Sequence, residues 1–235
     1  MNHFIFNGVS SAVYGVIVEQ PPEIQIGAIR ATTQKVIGSA KLLHFIESNE
    51  AVEPVNLTLE CALVAPTANA IDGLCAWLRG GGRLVVPGDE GHYYNAWIKN
   101  QIDLKKILRV RADRRFSVSF EREGFRYRYP EAEAIEMTAA GQLANPGTAP
   151  AEPLIKLYGS GDVTLMVDST SLLINDVDGY VMIDCAAQLV YKGDVNWGAK
   201  VTRLGDWPRI AAAGSMLNWT GTVTKLEITP RWRDY

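Results

Sequence analysis

The chain has 235 residues, 47% of them hydrophobic and 21% charged, with a formal net charge of −3 and a pI near 5.7. That composition supports a buried core and excludes a generally basic nucleic-acid binder, and no apolar run reaches the roughly 18 residues of a membrane helix. Cys61, Cys75 and Cys185 lie far apart with no Cys-x-x-Cys spacing, which argues against a disulfide scaffold or zinc site and fits a reducing compartment. The start, Met1-Asn2-His3-Phe4, shows no basic stretch followed by an apolar core, so a soluble protein without a secretory leader is expected.

Most of the chain reads as short strands. Val13–Val18 is apolar and largely β-branched, and Pro21-Pro22 closes it because proline has no ladder N–H. Val55–Cys61 alternates with period two, one face for a core and one for solvent. The period then changes. Ile71, Leu74, Cys75 and Leu78 recur at helical spacing, Thr67 or Asn69 can cap the first turn, and Gly80-Gly81-Gly82 ends it, predicting a single helix over 67–79. Leu108–Ala112, Phe116–Phe120 and Phe125–Tyr129 alternate again, predicting a sheet with one buried face and one cationic face.

From Ala139 to Pro153 the composition shifts to Ala, Gly, Asn, Pro and Thr, and Asn145–Pro150 can hold neither a helix nor a central strand. This predicts a boundary between domains 1–138 and 139–235. Beyond it come Leu154–Tyr158, Val163–Val167, Leu172–Ile174, Tyr180–Cys185 and Leu189–Lys192. Gly161-Asp162, Asp178-Gly179 and Lys192-Gly193-Asp194 separate them, the spacing of an all-β sandwich. The fold class predicted is mainly β, with two β-sandwich-type domains and one α-helix in the first.

Candidate chemistry is sparse. His3, His44 and His92 stand apart from other ligand-type residues, which argues against a metal site. The loop Gly88–Tyr94 lacks the alternating carboxylates of a calcium loop. Gly80-Gly81-Gly82-Arg83 ends a helix, whereas a phosphate cradle opens one. Gly159-Ser160-Gly161 lacks the nucleophile-elbow pattern, and the aspartates of the second half sit in turn sequences. No catalytic residue, cofactor or metal is expected, and the chain does not read as an enzyme.

Two charged features remain. Arg109, Arg111, Arg126 and Arg128, with Lys105, Lys106, Arg114 and Arg115 nearby, form either a solvated sheet face or a surface for an acidic neighbour. Single-stranded nucleic acid fits poorly, because Phe125, Tyr127 and Tyr129 alternate with the arginines and face away from them. Near the chain's end, alternation predicts Trp232 inward with Arg231 and Arg233 outward, where both are candidate interface residues. Trp197, Trp207 and Trp219 are candidates for stacking sugars if the second domain is a carbohydrate-binding module; each also suits a core or a turn.

Several segments carry a resemblance in their order along the chain. The first is Phe4-Ile5-Phe6-Asn7-Gly8-Val9-Ser10-Ser11 followed by Tyr14-Gly15-Val16, and the next are Leu74–Leu84 and Tyr93–Trp97. Asn145-Pro146-Gly147, Ile155–Asp162, Val181–Cys185 and Gly205–Ile210 follow, and the last is Thr229-Pro230-Arg231-Trp232-Arg233-Asp234-Tyr235. Together they resemble the phage distal tail protein family. A departure lies at Lys35–Ala40, where the family often carries an Arg-rich Pro-Gly-Arg-Asp-Gly loop. The resemblance implies an N-terminal β domain that closes a hexameric ring around the DNA conduit and a galectin-like C-terminal sandwich that projects outward. The implied partners are further copies of the chain, the tail tube protein, the tail-tip hub protein and receptor-binding proteins, with no sequence-specific nucleic acid and no membrane. The implied location is the virion tail, after assembly in the bacterial host cytoplasm.

Overall fold

The computed structural model describes residues 2–46, 51–64, 68–102 and 114–235. The chain is mainly β and divides into two compact units, Met1–Tyr129 with Tyr235, and Pro130–Asp234.

Unit 1 contains β1 (Ile5–Phe6), β2 (Val9–Ser10), β3 (Val16–Val18), β4 (Ala31–Lys35), β5 (Leu42–Ile46) and β6 (Val55–Leu63). These are followed by α1 (Ala68–Trp77), β7 (Gly81–Val85), β8 (His92–Ile98), β9 (Arg115–Arg122) and β10 (Arg126–Arg128). An antiparallel sheet runs β2-β1-β7-β8-β9-β6-β3, with β10 on β8, and β4 and β5 make a separate hairpin. The alternation read in the sequence sets the core. Val55, Leu57, Leu59, Cys61 and Leu63 of β6 and Phe116, Val118 and Phe120 of β9 are buried, and Leu74 of α1 joins the same cluster. Trp77 of α1 stacks on Phe4 and Tyr14 at 5.3 and 5.0 Å and donates its indole N–H to the Phe6 carbonyl. Thr67 lies outside the described residues, as does the predicted strand Leu108–Ala112.

The expected strand Val13–Val18 is only Val16–Val18. Ser11–Tyr14 forms a 3-10 turn, entered through the Ser10 hydroxyl and closed by Gly15 at φ 69°, whose N–H reaches back to Ala12 and Ser11. The left-handed value at Gly15 admits glycine readily and breaks the strand there.

Unit 2 contains β11 (Ile135–Met137), β12 (Gly141–Leu143), β13 (Leu154–Val167), β14 (Thr170–Asp184), β15 (Leu189–Lys192), β16 (Val195–Asn196), β17 (Val201–Leu204), β18 (Ser215–Thr229) and β19 (Arg233–Asp234). One sheet runs β11-β18-β13-β14-β15-β16, with β12 on β18 and β17 on β14. The boundary falls before the expected 138/139 because Ile135–Met137 already pairs with Leu226–Ile228 of β18. Nor is 139–153 a linker. β12 pairs with β18, and the fully buried Ala149 and Ala151 bridge to Arg233 and Ile210. Backbone that already has partners inside a core does not behave as an exposed connection.

The short strands expected in this half are also merged. β13 and β14 each run straight through the Gly-Asp positions that read as turns, with Gly159 opposite Gly179 and a bulge between Gly161 and Val163. Gly159 is there for close approach: a Cβ would sit 2.3 Å from the Thr222 carbonyl oxygen of β18. Ile155, Leu157, Val163, Leu165, Val167, Ile174, Val181, Ile183, Leu226 and Ile228 fill the core of this unit.

Candidate functional site

Among the described residues, the β4–β5 hairpin is exposed along its whole length. All five residues of each strand are exposed, so both faces of the two-stranded sheet meet solvent. Leu43 and Phe45 lie on one face and Leu42 and Ile46 on the other, each about half exposed, and Ile37 at the tip is fully exposed. Isolated hairpins are marginal in water, and an apolar pair on each face calls for a covering surface. The tip, residues 36–41, overlaps the segment Lys35–Ala40 singled out in the sequence, and the hairpin carries Lys35 and Lys41 with no acidic residue.

A second feature of unit 1 lies on the opposite face of β7–β9 from the core. Trp97 of β8 is 63% exposed and leans over Gly81 of β7, where a Cβ would come within 2.2 Å of the indole ring. Beside it is a groove of about 360 Å³ lined by Pro54, Arg83, Asn95, Glu121 and Glu123 as well as Trp97.

The expected cationic sheet face is not formed among the described residues. β9 pairs with β6 and β8, not with β10, and its outward positions are Arg115, Ser117, Ser119 and Glu121. Ion pairs then mix the signs: Arg115 with Glu19 at 2.7 Å and Lys99 with Glu121 at 2.6 Å. Arg109 and Arg111 lie outside the described residues, as do Lys105 and Lys106. Arg126 is half-buried, 3.7 Å from Asp89, and Arg128 is half-buried opposite His92 of β8. Tyr127, between them, stacks on Tyr93 at 5.1 Å and donates its hydroxyl to Glu123.

The loop entering β8 holds a polar cluster that the sequence did not reveal. Asp89 accepts from the Tyr94 hydroxyl and lies 2.6 Å from His92 Nδ1. Burial, then the Asp89 hydrogen bond and charge, push the Tyr94 phenol well above its ordinary value. Arg122, the last residue of β9, is 1% exposed, lies 4.5 Å from the Tyr94 ring centre and donates to the Gln25 and Glu123 carbonyls. A buried arginine at the end of an alternating strand follows the pattern of the apolar positions before it. Nothing in the residue type announces it.

In unit 2 the run Arg231–Asp234 is built into the fold. Trp232 is buried at 7% exposure, as alternation predicted. Arg231 and Arg233 are not both outward. Arg231 adopts φ 53°, which kinks the chain after β18 and cancels the strand alternation on which that expectation rested. Arg233 is therefore 4% exposed, donating to the Pro150 carbonyl and pairing with Glu152 at 3.0 Å. Asp234 accepts the Thr148 N–H at 2.8 Å, and Asn145 braces the same loop through the Ala149 and Ile210 carbonyls. These contacts explain why Asn145-Pro146-Gly147 and Pro-Arg-Trp-Arg-Asp belong together: a Cβ at Gly147 would sit 2.3 Å from the Arg233 carbonyl oxygen.

Arg231 forks onto Asp184, Nη1–Oδ1 2.7 Å and Nη2–Oδ2 3.0 Å. Burial alone would raise the Asp184 carboxyl, but the Arg231 guanidinium and the Ala187 and Ala186 N–H groups outweigh it and hold it below the ordinary carboxylate range. A carboxyl depressed on folding contributes stability above its unfolded value of about 4, and that contribution disappears as pH falls through the folded value. Arg231→Met is therefore expected to cost about 2 kcal/mol near neutral pH, with the gap to wild type closing on acidification. Thermal melts of both proteins from neutral pH down to about pH 2.5 check this. A gap that stays constant over the series would refute it.

The tryptophans proposed for sugar stacking are partly buried against the unit 2 core. Trp197 donates its indole N–H to the Asn175 carbonyl and lies beneath Lys200, and Trp207 lies beneath Arg203. His3 and His44 bond within unit 1, to the Val16 carbonyl and to Thr33. Among the described residues no three His, Cys, Asp or Glu side chains converge as metal ligands, and no helix is long and apolar enough to cross a membrane.

No family model and no curated protein matches the sequence. The structure is similar to the crystal structure of phage SPP1 Dit, a hub adsorption apparatus protein of phages that infect Gram-positive bacteria. The TM-score is 0.67 at 13% identity, over 96% of this chain and 97% of that one. Across both of its units, this mainly β chain has the fold of SPP1 Dit, a protein of the kind that its ordered sequence segments resemble.

Proposed function

We propose that this chain is a structural, non-enzymatic subunit of a phage or prophage tail tip. Six copies close a ring that joins the tail tube to the tail-tip hub, with the galectin-like second unit as the mounting place for receptor-binding proteins. The protein assembles in the bacterial host cytoplasm and resides in the virion tail. The observation that carries this reading is the likeness to SPP1 Dit along nearly the full length of both chains.

Unit 1 supplies physical support for a ring. A closed ring needs a heterologous interface, two different surfaces that fit each other on successive copies. The β4–β5 hairpin is apolar and basic, and the Trp97 groove offers an aromatic anchor with Glu121 and Glu123 on its wall. Hairpin into the neighbour's groove sets apolar side chains of one copy against Trp97 of the next. Arg109, Arg111 and Arg128 keep their place as candidates facing an acidic neighbour, whereas Arg126, Arg231 and Arg233 act within their own units.

Native mass spectrometry and light scattering on the full chain are expected to show hexamers that grow with concentration. Leu43→Asp with Phe45→Asp replaces two apolar anchors, each worth about 1.5–3 kcal/mol on burial, and is expected to weaken association at least about a hundredfold. Because these side chains are half exposed within the chain, its melting temperature should hardly move. A wild-type protein that remains monomeric at every concentration would sink the ring. Hexamers indifferent to the double substitution would sink the hairpin as its fastener.

A further inference from the structure

The root of the β4–β5 hairpin is as tightly built as the hairpin itself is exposed. The chain enters through residues 24–30 and returns through residues 51–54, and the two limbs pair as a short antiparallel ribbon. The Arg30 N–H donates to the Ala51 carbonyl at 2.7 Å and the Glu53 N–H to the Ala28 carbonyl at 2.8 Å, with Ile29 opposite Val52. Arg30 also pairs with Glu53 at 3.4 Å. The returning limb leads directly into β6, whose first residue, Val55, stands opposite Arg122 of β9.

Gly27, Gly124 and Arg122 hold this ribbon to the sheet. Gly27 of the entering limb and Gly124, just after β9, both press on Val52: an added Cβ would lie 2.3 Å from Val52 Cγ1 at Gly27 and 2.2 Å at Gly124. The Glu53 carbonyl oxygen would be 2.8 and 2.9 Å away, so backbone as well as side chain blocks any larger residue. Neither glycine has a positive φ, so close approach alone requires them. Arg122, 1% exposed, closes the crossing by donating to the Gln25 carbonyl on one side and to the Glu123 carbonyl at 3.0 Å on the other. Its planar fork fixes the direction of both bonds.

A heterologous assembly closes only if the rotation from each copy to the next divides the circle. In the ring proposed above, that rotation depends on the angle between hairpin and groove. The groove belongs to the β7–β9 sheet, so the hairpin's angle to that sheet is the quantity that must be set. Room for one Cβ at the crossing takes about 1 Å, and from Val52 to the paired Val55 is about 10 Å of strand. The hairpin then tilts by about 6°, and over six copies the error grows to about 35°.

We propose that Gly27, Gly124 and Arg122 form a clasp that presets the angle of the β4–β5 hairpin, and that this angle decides whether copies close into a ring or continue as an open chain. The role in closure rests on the ring reading; the presetting does not.

The test is pulsed electron double resonance between nitroxides on Gln34→Cys of β4 and Glu60→Cys of β6, both exposed positions. The full chain carries Cys75→Ser, leaving only the buried Cys61 and Cys185, and is diluted with unlabelled protein so that distances within one copy are read. One narrow distance is expected with the clasp intact. Gly27→Ala and Gly124→Ala should each move it by about 2 Å or more. Native mass spectrometry of the same variants should show hexamers replaced by other stoichiometries. Val52→Ala removes the methyl on which both glycines rest and adds no bulk, so it should broaden the distance, and it decides the matter if the glycine variants fail to fold. A broad distance with the clasp intact, or one unchanged in the folded variants, overturns the clasp. A shifted distance with hexamers intact overturns its role in closure. A wild type that stays monomeric at every concentration removes the ring reading and that role with it, while the distances still decide whether the clasp presets the hairpin.

Discussion

Trp232→Ala is expected to destabilise unit 2 by about 3–5 kcal/mol, the range for removing a buried large aromatic. The indole is 7% exposed and belongs to the cluster built from β13, β14 and β18, so truncation leaves a void that rigid strands on several sides cannot collapse to fill. For a unit of this size each kcal/mol shifts the midpoint by roughly 4–8 °C, so a fall of at least 12 °C is expected in the melting of unit 2. Calorimetry on the full chain checks it, since unit 1 has a separate core and supplies an internal reference. A variant that melts with the wild type would mean that Trp232 is not part of the folded core in solution.

Arg233→Met is expected to rival it, at about 3–5 kcal/mol, although the change preserves most of the stem volume. The buried guanidinium donates to the Pro150 carbonyl and pairs with Glu152, a carboxylate that also lies 3.4 Å from Arg209, so losing it leaves the carbonyl short of a donor away from water and the carboxylate with one cation in place of two. Arg233→Lys keeps the charge but not the fork and should recover only part of the loss. A double-mutant cycle with Glu152→Gln isolates the pair: a coupling well above 1 kcal/mol is expected, and additive losses would show that the pair contributes little. The pairing also opposes the simplest expectation for a surface arginine, whose removal usually moves stability by less than about 0.5 kcal/mol.

How much of this was legible depends on whether local alternation survived. In β6 and β9 it did, and the buried sets Leu57-Leu59-Cys61 and Phe116-Val118-Phe120 follow directly from the sequence. The helix was legible for the same reason: its stripe places Leu74 on the core within a residue or two of the predicted ends. Trp232 was placed correctly, but Arg233 was not, because a single positive φ at Arg231 resets the direction of every side chain after it. Gly161 and Gly179 read as turns because composition cannot tell a chain reversal from a glycine at positive φ inside a continuing strand, the first of them beside the bulge. The stretch 139–153 has the residues of a linker, yet its partners, Arg233 and Ile210, are supplied by distant parts of the chain. The exposed apolar hairpin was the least legible, since periodicity reports which residues share a face and not whether anything covers that face.

The placing of β18 in unit 2 has a consequence for how the chain reaches its native state. β13 and β14 follow one another directly and form a local hairpin, but β18, inserted between β11 and β13, joins them from far along the chain. Local hairpins close in about 1–10 μs, whereas pairings remote in sequence are slow. In the interval β13 presents an open edge on which Ile155, Leu157, Val163 and Leu165 alternate, a template that a strand of another molecule can occupy. Refolding yield should therefore fall with protein concentration, and the bulge after Gly161 guards the chain by dividing that edge into two shorter, differently twisted halves.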